Sequence, residues 1–270
     1  MIISVSRRTD IPAFYADWFY NRMRAGYVLV RNPMNLHSVS KVRLTPDVVD
    51  AFVFWTKNPL PMARRLDELA AYPYYFQFTL TGYGAEIEQG VPEKRRVLLP
   101  AFKDLAVQLG KKRVIWRYDP IFFSKKYTPE YHLACFEVLA AELHNSTERC
   151  VISFMDSYRN TKRNALQLNA LEYGSEELYA FAGQLAKIAA KYGLKLQTCA
   201  ESMDLTALGI TPSACIDKAL LEDIGSFKMD LKRTLTSVMN AVAPQASTSE
   251  PITPVPAAAC IVTPTTTRRW

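Results

Sequence analysis

AAKYGLKLQTCAES, residues 189–202, decides how this chain reads. Its first residues close a helical pattern that starts at Ser175. Gly193 follows, and glycine takes the left-handed conformation that ends a helix at little steric cost. Lys195–Thr198 then reads as a short strand, and Cys199-Ala200-Glu201-Ser202 as its polar exit. A helix, a glycine stop, a strand and a polar exit in one run form the repeating unit of an α/β protein.

The same unit recurs along the chain. Short apolar, β-branched and aromatic runs predict strands at Ile2–Val5, Tyr27–Val30, Phe52–Trp55, Tyr75–Thr79, Arg113–Trp116, Cys150–Phe154 and Lys195–Thr198. Helical patterns predict Ala13–Ala25, Met62–Ala71, Glu93–Leu109, Pro129–Leu143 and Ser175–Tyr192. Thr128 before Pro129 is a cap, and Ser175 is followed by two glutamates that suit a helix start. Alternation of this kind implies parallel strands with outer helices. The expected fold is therefore α/β, a (β/α) TIM-like barrel, complete or incomplete, over residues 1–232. An open doubly wound sheet fits less well, because no G-x-G-x-x-G follows the first strand. Gly82-Tyr83-Gly84 lacks the third glycine and reads as a turn.

With 270 residues, 49% of them hydrophobic, the chain has enough material for one barrel-sized core. No apolar stretch is long enough to cross a bilayer. MIISVSRRTD reads as a strand running into charges rather than as a signal peptide, so the cytoplasm is the expected location and no membrane partner is expected. The five cysteines, Cys135, Cys150, Cys199, Cys215 and Cys260, are scattered with no C-x-x-C. They read as packed thiols, and with His37, His132 and His144 in unrelated contexts no metal site is expected in the chain as written. The net charge of +7 permits an anionic ligand without requiring one.

In a parallel barrel the chemistry sits where strands end. Here those exits carry Ser6-Arg7-Arg8-Thr9-Asp10, Arg31-Asn32-Pro33, Thr56-Lys57-Asn58-Pro59, Thr81, Arg117-Tyr118-Asp119-Pro120, Ser153 with Asp156, Tyr158 and Arg159, and Cys199–Ser202. Any one exit reads equally as a helix cap or a structural ion pair. Their repetition on one face predicts a cation-rich pocket of Arg7, Arg8, Asp10, Arg31, Asn32, Lys57, Asn58, Arg117, Asp119 and Glu201. The arginines and Lys57 suit carboxylate or phosphate. Asp10, Asp119 and Glu201 suit ribose hydroxyls or a substrate. Trp55, Trp116 and Tyr118 lie beside the exits and are able to stack a flat base, although both tryptophans end apolar strands and read as core. No Ser-His-Asp or Cys-His order is present, so no catalytic residue is assigned. The expected partner is a small-molecule or nucleotide-like ligand.

Residues 233–270 differ in kind: Ser, Thr, Ala and Pro dominate, ending VPAAACIVTPTTTRRW. Such composition ordinarily marks a disordered tail. It is also compatible with an out-of-frame reading. A base lost near Lys232 would let Asn240–Ala243 stand for Cys-Gly-Cys, and Pro254–Thr266 for a Cys-Pro-x-x-Cys-Leu-Tyr-Cys run.

SVSRRTDIPAFYADWFYNRM, GYVLVRNPMN, VFWTKNP, FTLTGYG and VIWRYDPI together resemble the bacterial domain of unknown function 1848 family, from Met1 to about Lys232. That family's cysteine-rich end resembles the iron–sulfur motif of radical S-adenosylmethionine enzymes. The resemblance implies a [4Fe–4S] cluster and S-adenosylmethionine for the family, acting on an unknown substrate. A three-cysteine motif leaves one iron open for the cofactor, and the barrel would hold that cofactor and keep water out. Where those ligands belong, this chain has its altered tail, so the resemblance implies a protein inactive as written and without the cofactors.

Two rivals remain. A basic barrel gripping nucleic acid or a phospholigand, without redox chemistry, would use Arg7-Arg8, Arg64-Arg65, Lys94-Arg95-Arg96 and Lys111-Lys112-Arg113. The last three fall at helix or pre-strand positions, where solvated faces explain them better. A metal-free barrel enzyme would use Asp/Glu acid–base chemistry.

Overall fold

The computed structural model describes residues 1–6, 9–31, 35, 37–155, 169–199, 201, 203–226 and 228. Its strands are β1 (Ile2–Val5), β2 (Tyr27–Arg31), β3 (Val39–Arg43), β4 (Ala51–Thr56), β5 (Tyr74–Thr79), β6 (Val114–Ile121), β7 (Arg149–Phe154), β8 (Lys195–Cys199) and β9 (Thr211–Ser213). Its α-helices are α1 (Ile11–Phe14), α2 (Ala16–Ala25), α3 (Leu60–Ala63), α4 (Leu99–Leu109), α5 (Pro129–Leu143), α6 (Ser175–Lys191) and α7 (Lys218–Gly225). A seven-stranded sheet runs in the order β1-β4-β5-β6-β7-β8-β9, and β2 and β3 form a separate two-stranded sheet. The α/β class with parallel strands and helices is therefore present. The order begins at β1 and ends at β9, and closure into a TIM-like barrel is not shown.

The chain divides into two compact units, Met1–Gln77 with Ile216–Trp270, and Phe78–Cys215. In the first, β1 and β4 pair in parallel, with Ile2 opposite Ala51 and Val5 opposite Phe54. Ile3, Val5, Phe52, Val53 and Phe54 are all fully buried, as strands covered on both faces must be. α2 packs Phe19 edge-on against Phe52 at 5.8 Å and Phe54 at 5.5 Å. Tyr20 Oη donates to the Met62 carbonyl at 2.9 Å. The helix expected over Ala13–Ala25 is two helices broken at Tyr15, and Met62–Ala71 is α3 followed by a 3₁₀ turn at Leu66–Leu69.

Tyr27–Val30 is a strand, but not one of the parallel sheet. β2 pairs antiparallel with β3, Tyr27 opposite Arg43 and Arg31 opposite Val39. The physical reason lies in the connection: residues 32–38 are too few for the crossover that a parallel neighbour demands. Only Val28 of β2 is fully buried, as a ribbon with a wet face allows.

In the second unit β6, β7, β8 and β9 pair in parallel succession. α5 begins as its sequence predicts, with Thr128 Oγ1 accepting the Tyr131 amide at 3.3 Å. Trp116 is fully buried, its ring stacked on Phe136 at 4.9 Å and its Nε1 donating to the Leu80 carbonyl at 2.9 Å. Trp116 and Tyr118 are thus core side chains. α6 runs to Lys191, and Gly193 has φ of 67°, the left-handed stop read from the sequence. Gly82 is a close approach: a Cβ there would lie 2.9 Å from both Cβ and Sγ of Cys135.

Candidate functional site

The candidate residues fall into three sets. Arg7, Arg8 and Asn32 lie outside the described residues, as do Asp156, Tyr158, Arg159 and the tail at 233–270. Asp10, Arg31, Lys57 and Asn58 belong to the first unit, and Arg117, Asp119 and Glu201 to the second.

In the first unit Asp10 joins the exits of β1 and β4. Its Oδ1 accepts the Ala13 amide at 3.0 Å, capping α1, and its Oδ2 accepts the Lys57 amide at 2.7 Å. Burial raises the pKa of this carboxyl, against hydrogen bonds from the Lys57 backbone, the Thr56 hydroxyl and the Ala13 backbone. Asn58 Oδ1 accepts the Leu60 amide at 3.2 Å, and the Asn58 amide donates to Thr56 Oγ1 at 2.9 Å. Asp10, Lys57 and Asn58 are therefore brought together, with both carboxylate oxygens of Asp10 occupied by backbone donors. Trp55 Nε1 donates to Ser4 Oγ at 3.1 Å. Arg31 is exposed at the end of β2, in the two-stranded sheet.

In the second unit the charged centre is Arg117 with Asp119. β6 carries one residue more than β7 between the pairs Tyr118–Ile152 and Ile121–Phe154, a bulge that falls on Asp119 and Pro120. Arg117 Nε donates to both carboxylate oxygens of Asp119, at 2.9 and 3.1 Å, and Nη2 closes the fork on the same carboxylate. The side chains are 5% and 13% exposed, so the pair is almost wholly desolvated. Burial works against the Arg117 charge, but the charge and hydrogen bonds of Asp119 outweigh it and raise the guanidinium pKa. Glu201 reaches back from the β8 exit, its Oε1 accepting the Phe154 amide at 2.7 Å.

Two further groups in this unit carry no recognisable signal in the sequence. Lys94 is no solvated member of a basic run: its Nζ bonds the buried Glu88 carboxylate and the Tyr83 carbonyl, and lies 3.4 Å from Thr81 Oγ1. Thr81 Oγ1 in turn donates to Glu88 Oε2 at 3.1 Å. Cys199 and Cys215, read as unrelated packed thiols, place their Sγ atoms 3.3 Å apart, with Arg117 hydrogen-bonded to Cys199. The Cys215 hydrogen bond and burial raise the Cys199 pKa, against the pull of Arg117. The residues between the thiols carry no recognisable spacing; the pairing of β8 with β9, Cys199 opposite Ser213, brings them together. Of the basic runs offered for nucleic acid, Lys94 is engaged as above. Arg65 pairs with Glu68 at 2.6 Å and Asp17 at 2.8 Å.

The second unit thus holds two carboxylates each paired with a cation, Asp119 with Arg117 and Glu88 with Lys94. No described helix is long and apolar enough to cross a membrane. No curated protein and no solved structure matches the chain. A family model described as domain of unknown function (DUF1848) does match, over residues 2–242, running past Lys232. With that share of its length matched, the chain belongs to the DUF1848 family.

Proposed function

We propose that this chain is a ligand-binding α/β protein of the radical S-adenosylmethionine type, whose nucleotide-like ligand is held at the C-terminal ends of the strands of the second unit. The observation that carries this reading is the desolvated Arg117–Asp119 pair on the β6 bulge. A parallel sheet places its ligands beyond the carboxyl ends of its strands. Asp119 is an acceptor suited to ribose hydroxyls, and Arg117 is its positioning residue, fixing the carboxylate through a fork of hydrogen bonds. This differs from the expectation that Arg117 itself grips the anion, because its fork is already on Asp119.

The family resemblance implies a [4Fe–4S] cluster, which needs thiolates grouped around its irons. Among the described residues the thiols are Cys135, Cys150, Cys199 and Cys215, and only Cys199 and Cys215 meet. No group of three or more metal-ligating side chains is present among the described residues. Those residues do not fit a cluster. The out-of-frame reading of residues 233–270 is part of the same proposal. Sequencing of the source gene from codon 232 onward is expected to show an added base and an in-frame cysteine run; confirmation of the present frame would remove the cluster from this chain's history.

The binding proposal is tested by equilibrium dialysis of the full chain against S-adenosylhomocysteine, which needs no cluster and is not consumed. Wild type is expected to bind, and Asp119→Asn to bind about 10- to 100-fold more weakly, the loss of one charge-assisted hydrogen bond. Binding unchanged in Asp119→Asn, with its fold verified by circular dichroism, would refute the assignment. So would the absence of binding in wild type.

A further inference from the structure

Cys199 and Cys215 have no part in the ligand binding proposed above, although Cys199 neighbours Arg117. Cys199 is buried at the end of β8, whereas Cys215 is exposed just beyond β9. Their sulfurs are 3.3 Å apart. A disulfide requires about 2.05 Å, so roughly 1 Å of closing motion separates contact from bond, within the reach of side-chain rotation. The parallel register already fixes one end, Cys199 opposite Ser213, two residues before Cys215.

The two thiols differ in the ways an exchange reaction uses. Attack on a disulfide needs a cysteine that the reagent can reach, and Cys215 is exposed. Resolution needs a second thiol adjacent to the first and screened from the reagent, which describes Cys199. The Arg117 guanidinium, hydrogen-bonded to Cys199, supplies a positive charge where negative charge forms on that sulfur as it loses its proton, before it attacks. Neither Cys150, buried within β7, nor Cys135, packed against Gly82, has a second thiol in contact among the described residues.

We propose that Cys199 and Cys215 form a redox-active dithiol, a modification site that a low-molecular-weight disulfide of the glutathione type converts to an intramolecular disulfide. The Cys215 sulfur, having given up its proton, attacks one sulfur of the small disulfide. That S–S bond breaks, and one small thiol leaves as thiolate and takes a proton. Cys199 then loses its proton and attacks Cys215 Sγ in the mixed disulfide; the second small thiol leaves and is protonated. The net change is two protein thiols and one small disulfide going to one protein disulfide and two small thiols. Two electrons pass from protein to reagent. Because Cys199 also carries the hydrogen bond from Arg117, oxidation changes the environment of the Arg117–Asp119 pair.

No Lys or Arg lies between Leu196 and Lys218, so one tryptic peptide, residues 196–218, contains both cysteines. The full chain is treated with oxidised glutathione, alkylated, digested and weighed. The expected result is that this peptide loses two hydrogens and both alkylation sites, while Cys215→Ser loses the reaction. Cys199→Ser is expected to trap the glutathione adduct on Cys215 that wild type resolves. A wild-type peptide still alkylated twice would overturn the proposal. So would a stable adduct on Cys215 beside an alkylated Cys199, or a disulfide from either residue to Cys135, Cys150 or Cys260. The readout from wild type and from the exposed Cys215 position stands even if Cys199→Ser folds poorly, and it does not depend on whether S-adenosylhomocysteine binds.

Discussion

His132 is wholly buried between two partners: Nε2 donates to the Phe122 carbonyl at 3.0 Å, which leaves Nδ1 to accept from Tyr118 Oη at 2.9 Å. Burial lowers its pKa below the ordinary value near 6.5, against the Phe122 hydrogen bond. The unfolded chain therefore takes up this proton at a pH where the folded chain does not. The resulting stability is complete above about pH 6.5 and is lost as the pH falls below it. Urea midpoints are expected to drop between about pH 7.5 and 5.5, and to drop less in His132→Gln, which has no proton to gain there. The Arg117–Asp119 pair predicts a second residue-scale effect. Asp119→Asn leaves a buried guanidinium without its counter-charge, which costs about 3 kcal/mol. Gly82→Ala forces a methyl to within 2.9 Å of Cys135 and is expected to cost about 1–3 kcal/mol, read as a lower urea midpoint at unchanged slope.

Among the elements, those with long apolar runs or clear punctuation were legible in the sequence. α6, Gly193 and β8 lie where the AAKYGLKLQT run places them, because a 3.6-residue pattern, a glycine and a β-rich run each carry their own physical signature. Gly193→Ala keeps open space around the new methyl but puts an L-residue at φ of 67°, so a loss of about 1 kcal/mol is expected by urea denaturation, and less for Gly193→Asn. β9 was invisible: Thr-Pro-Ser is three residues with a proline, tolerated only because this strand is the last in the sheet order. α7 offers eight residues, too few for a convincing period. β2 was legible as a strand and not as a ribbon, since pairing partners are set by the length of the connection. The candidate site divides the same way. Arg117, Asp119 and Glu201 could be read from their position after strands. The Glu88–Lys94 network lies within residues 81–94, a stretch with no helical or strand period to announce it, and the Cys199–Cys215 contact depends on the pairing of β8 with β9.

At the scale of the molecule, charge and family bound what the chain does. Its +7 is distributed so that Arg65 and Lys94, from two of the basic runs offered for nucleic acid, are held by carboxylates. A ligand at the strand ends of the second unit, rather than a polyanion along a basic stripe, is the proposal consistent with that distribution. Amide hydrogen exchange of the full chain, with and without saturating S-adenosylhomocysteine, tests it most directly. The predicted result is slowed exchange in residues 79–84, 117–121 and 201–205, the exits of β5, β6 and β8, with the basic segment 111–113 unchanged. Protection confined to other segments, or none at a concentration that saturates binding, would contradict a nucleotide-like ligand held on Asp119.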